Sequence, residues 1–263
     1  MNLLFFDIDG TLLTEGQNRY IPQSTMQGIR HLQARGHKCF INTGRAKAEL
    51  TDEMLHLGFD GIICGCGTYI EYQQKPLFHH EISRELSDAI LSSLENCRLE
   101  WVLEGTHDIY YSTVPYTTHI GDFYREFHQL FPDAVCDVDP SVRGLTFDKF
   151  CICLTPESDF SSFHLKFTKE LDFIDRGSDF YEIVPRGFSK ATGMQFLMDH
   201  FGVPRENTYA FGDSSNDLPM LEFAGHSIAM QHSDQVVLDM ADYVTDAVER
   251  DGIYKALTHF NLI

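Results

Sequence analysis

The sequence predicts an α/β fold: a Rossmann-like core with a parallel central sheet, plus an inserted α+β domain. Three observations predict it. Strand-length apolar runs alternate with amphipathic helical stretches over residues 1–81 and again over 187–263. Between them, over 82–186, helices and strand pairs cluster without that alternation. The polar motifs of the flanking parts fall where apolar runs end, the place where open α/β sheets bind ligands.

Residues 3–8 are largely apolar, as a strand covered on both faces should be. Gly10 follows, then a polar loop to Tyr20. A helix is expected from Pro22, with Met26, Ile29 and Leu32 on one face, until Gly36 ends it. A strand over 38–42, a helix over 46–57 and a strand over 61–64 complete this part. In the insert the pattern predicts a helix over 83–96, strands at 99–103 and 109–112, and an aromatic helix around 123–131. A strand-like stretch at 146–154, a helix near 161–171 and strands at 172–175 and 180–184 follow. Turns at 73–76 and 185–187 bracket the insert. The closing part predicts a helix over 189–201, a strand over 208–211 and a helix over 216–223. A strand over 227–230, a short helix near Val236, a strand over 243–245 and a helix from Arg250 end the chain.

Twenty basic residues against 39 acidic ones give a net charge of −19. Such a surface repels phosphodiester backbones and anionic headgroups, so neither nucleic acid nor a membrane is an expected partner. No obligate protein partner is implied either. An anionic substrate would need local positive charge, from a bound metal ion and one or two placed cations. The opening residues lack a basic stretch and read as a buried strand, not an export signal. With seven scattered cysteines, this points to a reducing, cytoplasmic setting. Cys64 and Cys66, like Cys151 and Cys153, are one residue apart, too close for a zinc motif, and are expected as small buried hydrophobes.

Four elements carry chemistry. In Asp7-Ile8-Asp9-Gly10-Thr11 the two carboxylates project together from a strand end. They repel each other unless a cation or a shared proton relieves them, and Mg2+ suits such an oxygen site beside a phosphate. A calcium loop is disfavoured, because Thr11 and Leu12 stand where a ligand and a glycine belong. Asp213, in Phe211-Gly212-Asp213-Ser214-Ser215-Asn216-Asp217, sits at another strand end and could add a metal ligand. Asn216 and Asp217 are equally explained as helix caps. Thr43 and Gly44 end a third strand, where a hydroxyl and backbone N–H groups at a helix start could hold phosphate, or where Thr43 simply caps. Lys190 follows the expected cap Ser189; a cation there opposes the helix dipole unless an anion is near, and alone it reads as a solvated lysine. Thr43 and Lys190 lie much farther apart than the roughly 30 residues of a βαβ unit, which supports an insert between them.

Together these residues resemble the haloacid-dehalogenase superfamily, whose motifs run D-x-D-G-T, then Ser or Thr, then Lys, then G-D-x-x-N-D. The insert resembles the type IIB cap of its Cof-type phosphatases by size and position. The resemblance implies Asp7 as nucleophile and Asp9 as general acid and base. It implies Mg2+ held by the Asp7 carboxylate, the Asp9 backbone carbonyl and Asp213. Thr43, Gly44, Lys190 and Asn216 would hold the phosphate, with Asp217 supporting the metal and Lys190 from outside. Two departures stand out: Cys66-Gly67 where the family often has Asn-Gly, and Asn42 where a small residue is common. The implied activity is hydrolysis of a small phosphorylated metabolite, such as a sugar phosphate, through an aspartyl phosphate. A phosphomutase, a cofactor phosphatase acting on pyridoxal phosphate, and a non-catalytic binding protein are the alternatives. Arg143, Lys149, Arg176 and Tyr181 of the insert are expected at the surface.

Overall fold

Leu3, Leu4, Phe5 and Phe6 offer no polar side to either face of a strand, and the computed structural model buries all four. It describes residues 1–16 and 19–263; residues 17 and 18 of the loop expected before Tyr20 lie outside the described residues. The strands, in chain order, are β1 (Leu3–Phe6), β2 (Lys38–Asn42), β3 (Gly61–Cys64), β4 (Tyr69–Tyr72), β5 (Lys75–His79), β6 (Glu100–Glu104) and β7 (Ile109–Ser112). They continue with β8 (Val135–Val138), β9 (Lys149–Cys153), β10 (Leu171–Asp175), β11 (Phe180–Pro185), β12 (Thr208–Gly212), β13 (His226–Ala229) and β14 (Tyr243–Val244).

The chain divides into two compact units. The first comprises Met1–Gly44, Glu53–Leu77 and Ser189–Ile263; the second comprises Arg45–Asp52 and Phe78–Phe188.

In the first, a sheet of order β14-β13-β12-β1-β2-β3-β4-β5 is parallel from β14 to β3, and β4 returns antiparallel to β3. Its register aligns three strand ends. Phe6 lies opposite both Phe211 of β12 and Ile41 of β2, so these strands run out together. Stacking of Phe6 on Phe211, with ring centroids 4.6 Å apart, fixes that alignment. Asp7, Thr43 and Asp213 therefore follow at one edge of the sheet.

In the second, β10-β11-β9-β6-β7-β8 pair antiparallel except for the parallel β7–β8 ladder. Alternation along β9 divides its faces. Phe150 and Ile152 join a core with Ile90, Leu94 and Phe163, from the helices Arg84–Asn96 and Phe160–Phe167. Cys151 and Cys153 face the other way, among Val102, Tyr111 and Ile120. Both are buried, as are Cys64 and Cys66, in line with their reading as small hydrophobes.

Two expectations fail locally, and one turn carries more structure than expected. Residues 46–57 do not form one helix: a 3-10 turn, Lys47–Glu49, and a single turn, Asp52–Leu55, flank an extended Leu50. Tertiary contacts override helix propensity here, since Glu49 and Leu50 are buried and Ala48 N–H donates to Gly105 C=O at 3.4 Å. The turn expected at 73–76 forms at residues 73–74, but it is the tip of a β4–β5 hairpin. Gln73 and Gln74, at φ 50° and 61°, take the left-handed conformations that Asn-Gly usually signals. Lys149 is buried rather than at the surface, while Arg143 and Arg176 are exposed and Tyr181 is half-buried. Among the described residues, no helix is long and apolar enough to cross a membrane.

Candidate active site

β1 ends at Phe6, but one ladder bond continues: Asp7 N–H donates to Phe211 C=O at 3.0 Å. Asp7 is thereby held inside the sheet edge and is only 5% exposed. The chain then turns at Gly10, whose φ of +74° suits glycine. A Cβ there would stand 2.4 Å from Asp213 Oδ2, so the glycine also admits Asp213. Thr11 Oγ1 donates to Asp213 Oδ1 at 2.9 Å and fixes that carboxylate.

Lys190 opens the helix Lys190–Phe201, and Ser189 caps it by accepting from Thr192 N–H. The solvated-lysine alternative fails. Lys190 is 1% exposed, and its Nζ lies 2.6 Å from Asp7 Oδ1 and 2.5 Å from Asp217 Oδ1. Asp217 does cap, in a capping box with Ser214, and does more. Its carboxylate accepts from the N–H groups of Asp213 and Ser214 at 2.9 and 3.1 Å while pairing with Lys190. Asn42, in a strand otherwise apolar at its buried positions, anchors the same lysine: its Nδ2 donates to Lys190 C=O at 3.0 Å.

Thr43 is buried beside these groups in the sheet, with its N–H on Ile63 C=O at 2.9 Å and its C=O accepting from Cys66 N–H at 3.2 Å. No helix starts at Thr43 or Gly44 themselves; the next turn begins at Lys47. Cys66, at φ 55°, occupies the left-handed region that asparagine tolerates better. Asn216 is half-buried, with its Oδ1 taken by the Ser214 hydroxyl. Asp9 points outward, its side chain 44% exposed and paired with Arg19 Nη1 at 2.8 Å. The sequence carries no signal for Arg19, and Thr11 stands in the first motif without a role that the motif itself assigns.

The electrostatics follow from three carboxylates against one ammonium. Burial, then the Asp217 charge, pushes the Asp7 carboxyl up to about 7 despite Lys190. Burial, then Asp7 and Asp217, pushes Asp213 up to about 8. For Lys190, burial opposes its charge, yet Asp217 and Asp7 hold it firmly protonated. One oxygen from each of Asp7, Asp213 and Asp217 lies within 4.8 Å of the others. An all-oxygen set with excess negative charge and raised carboxyls fits a hard divalent cation.

The sequence matches the haloacid dehalogenase-like hydrolase family over residues 4–257. YkrA of Bacillus subtilis is 26% identical over 268 residues, covering 99% of this chain and 98% of YkrA. The 5-amino-6-(5-phospho-D-ribitylamino)uracil phosphatase YitU of the same organism is 25% identical, covering 98% of this chain and 97% of YitU. Among solved structures, the HAD subclass IIB sugar phosphatase BT4131 superposes with a TM-score of 0.82 at 27% identity, covering 100% of both chains.

Proposed function

This chain belongs to the haloacid dehalogenase-like hydrolase family, and from that premise we propose that it is a Mg2+-dependent phosphatase acting through an aspartyl phosphate on Asp7. Its substrate on this reading is a small phosphomonoester, in first place a sugar phosphate. One observation carries the reading: Lys190, buried, bridges Asp7 and Asp217 while Asp213 stands beside them at the same sheet edge. A structural ion pair needs one carboxylate per lysine; three crowded around one ammonium suit a site that receives further positive charge.

Asp7, Asp213 and the Asp9 backbone carbonyl would hold the Mg2+, which supplies charge neutralisation at the phosphoryl oxygens. Lys190 adds a second positive charge at Asp7 Oδ1, the oxygen that must approach an anion. Thr43, Gly44 and Asn216 orient the phosphoryl group. Asp7 forms a bond to phosphorus as the ester P–O bond breaks, and Asp9 gives its proton to the leaving oxygen. Asp9 then takes a proton from water, whose oxygen displaces the Asp7 carboxylate and frees inorganic phosphate. Asp217 keeps Lys190 in place. The second unit takes the role of a type IIB cap that selects the leaving group, with the domain limits read from sequence, 1–81 and 187–263 against 82–186. The seven scattered cysteines support a reducing, cytoplasmic setting.

The names of the relatives point to two substrate types: BT4131 is a sugar phosphatase, and YitU acts on a phosphorylated ribitylamino uracil. The test is release of inorganic phosphate from a panel of sugar phosphates, pyridoxal phosphate, p-nitrophenyl phosphate and acetyl phosphate, with Mg2+ and no bisphosphate activator. Silence across the panel refutes the proposal, and dependence on a bisphosphate would indicate a mutase.

A further inference from the structure

The turn that follows Thr43 and Gly44 folds with the second unit, although those two residues belong to the first. Ala48 N–H ties it there by donating to Gly105 C=O at 3.4 Å, and the turn carries a buried acid. Glu49 is 5% exposed and folds back so that its Oε2 accepts from Ala46 N–H at 2.9 Å. The surroundings of Glu49 come from four strands and its own segment. Glu104 of β6, Lys149 and Cys151 of β9, Glu182 of β11 and Tyr111 of β7 lie on one face of the sheet, and Arg45 precedes Glu49 in the turn.

Lys149 stands opposite Glu104 in register, with its Nζ 2.5 Å from Glu104 Oε2 and 2.8 Å from Glu182 Oε1. Its ammonium is thus fully engaged by two acids, and a third, Glu49, has no separate cation in the sheet. The fully buried Tyr111 hydroxyl has no hydrogen-bond partner among the described residues, so it offers Glu49 no fixed relief. Burial and the Glu104 charge push the Glu49 carboxyl up to about 8, against the pull of Lys149 and Arg45.

We propose that Glu49 is a positioning residue for the phosphate-binding turn Thr43-Gly44: its buried side chain clamps the downstream arm, residues 45–50, at the charged end of the second unit's sheet. The neutral acid fits beside Glu104 and Lys149; an ionised one repels Glu104 and loosens the clamp. Thr43 and Gly44, six and five residues upstream, lose their fixed downstream end when it loosens. The consequence falls on phosphate binding rather than on the chemical step. This rests on the phosphatase reading for its kinetic part alone.

The experiment compares wild type, Glu49→Ala and Glu49→Gln with p-nitrophenyl phosphate and Mg2+ at pH 7 and pH 9, alongside amide hydrogen exchange over residues 45–50. Glu49→Ala is expected to speed that exchange and raise KM roughly tenfold, while kcat stays within about twofold. Glu49→Gln, which keeps the shape and the acceptor for Ala46 N–H, is expected to restore both. Wild-type KM rises between pH 7 and pH 9, whereas that of Glu49→Gln stays flat. The proposal is overturned if Glu49→Ala exchanges as slowly as wild type, or if Glu49→Gln shows the wild-type rise in KM. An inactive wild type would count against the phosphatase reading, and the exchange data would still decide on the clamp.

Discussion

Replacing Asp7 by asparagine should yield a protein that is dead but, without divalent ions, harder to unfold. The buried Asp7 carboxyl is pushed from 3.8 to about 7 by burial and by Asp217. Its folded value thus lies above its unfolded one, so its contribution to stability is full below pH 4 and is lost as pH rises through 7. The cost of holding it ionised in the folded chain approaches about 4 kcal/mol at pH 8, at 1.36 kcal/mol per pH unit. Asparagine keeps an oxygen to accept from Lys190 and carries no charge to repel Asp217. In EDTA at pH 8, Asp7→Asn should therefore melt above wild type, by roughly 8–16 °C at 2–4 °C per kcal/mol for a domain of this size. At pH 4 the two should melt together. Saturating Mg2+ should close the gap at pH 8 by stabilising the wild-type carboxylates. Scanning calorimetry at both pH values, with and without Mg2+, reads all of this. A variant that melts below wild type at pH 8 in EDTA, or that still turns over, would refute the reasoning.

Lys190→Met should cost about 3–5 kcal/mol at pH 8, because it strands Asp7 and Asp217 without their buried cation. Denaturant titration should find the loss smaller at pH 4, where the raised Asp7 carboxyl is neutral. Gly10→Ala should destabilise by at least about 1–2 kcal/mol, since φ is +74° and the new Cβ would meet Asp213 Oδ2; calorimetric titration with Mg2+ should also show weakened binding. Activity should vanish in EDTA and return with Mg2+, and a full rate in chelator would remove the metal from the account.

What could be read in the sequence depended on whether a signal was local. The strand at 38–42 and the one at 61–64 have the predicted limits, because apolar runs bounded by polar residues define a buried strand by themselves. Convergence of Asp7, Asp213, Asp217 and Lys190 could be anticipated only from the joint order of motifs; each alone had an ordinary explanation. Lys190 shows this best, since nothing in Gly187-Phe188-Ser189-Lys190 says that two acids from elsewhere will enclose its ammonium. The same blindness hid Lys149, whose partners Glu104 and Glu182 sit on neighbouring strands distant in the chain. The segment after Thr43 misled for a related reason: Ala46-Lys47-Ala48-Glu49-Leu50 has good helix formers, but Glu49 is committed to a buried tertiary contact.

The backbone passes between the two units at four places, after residues 44, 52, 77 and 188. Modular exchange of the insert is thereby constrained. Grafting 78–188 from a relative would import a foreign sheet face while leaving the native excursion 45–52 to dock against it, with an acid already shaped for other neighbours. A workable chimera has to transplant both pieces together, and so must be cut immediately beside Thr43 and Gly44, the proposed phosphate-binding residues. Diversification of specificity in such a chain is better served by point changes within the insert than by wholesale replacement.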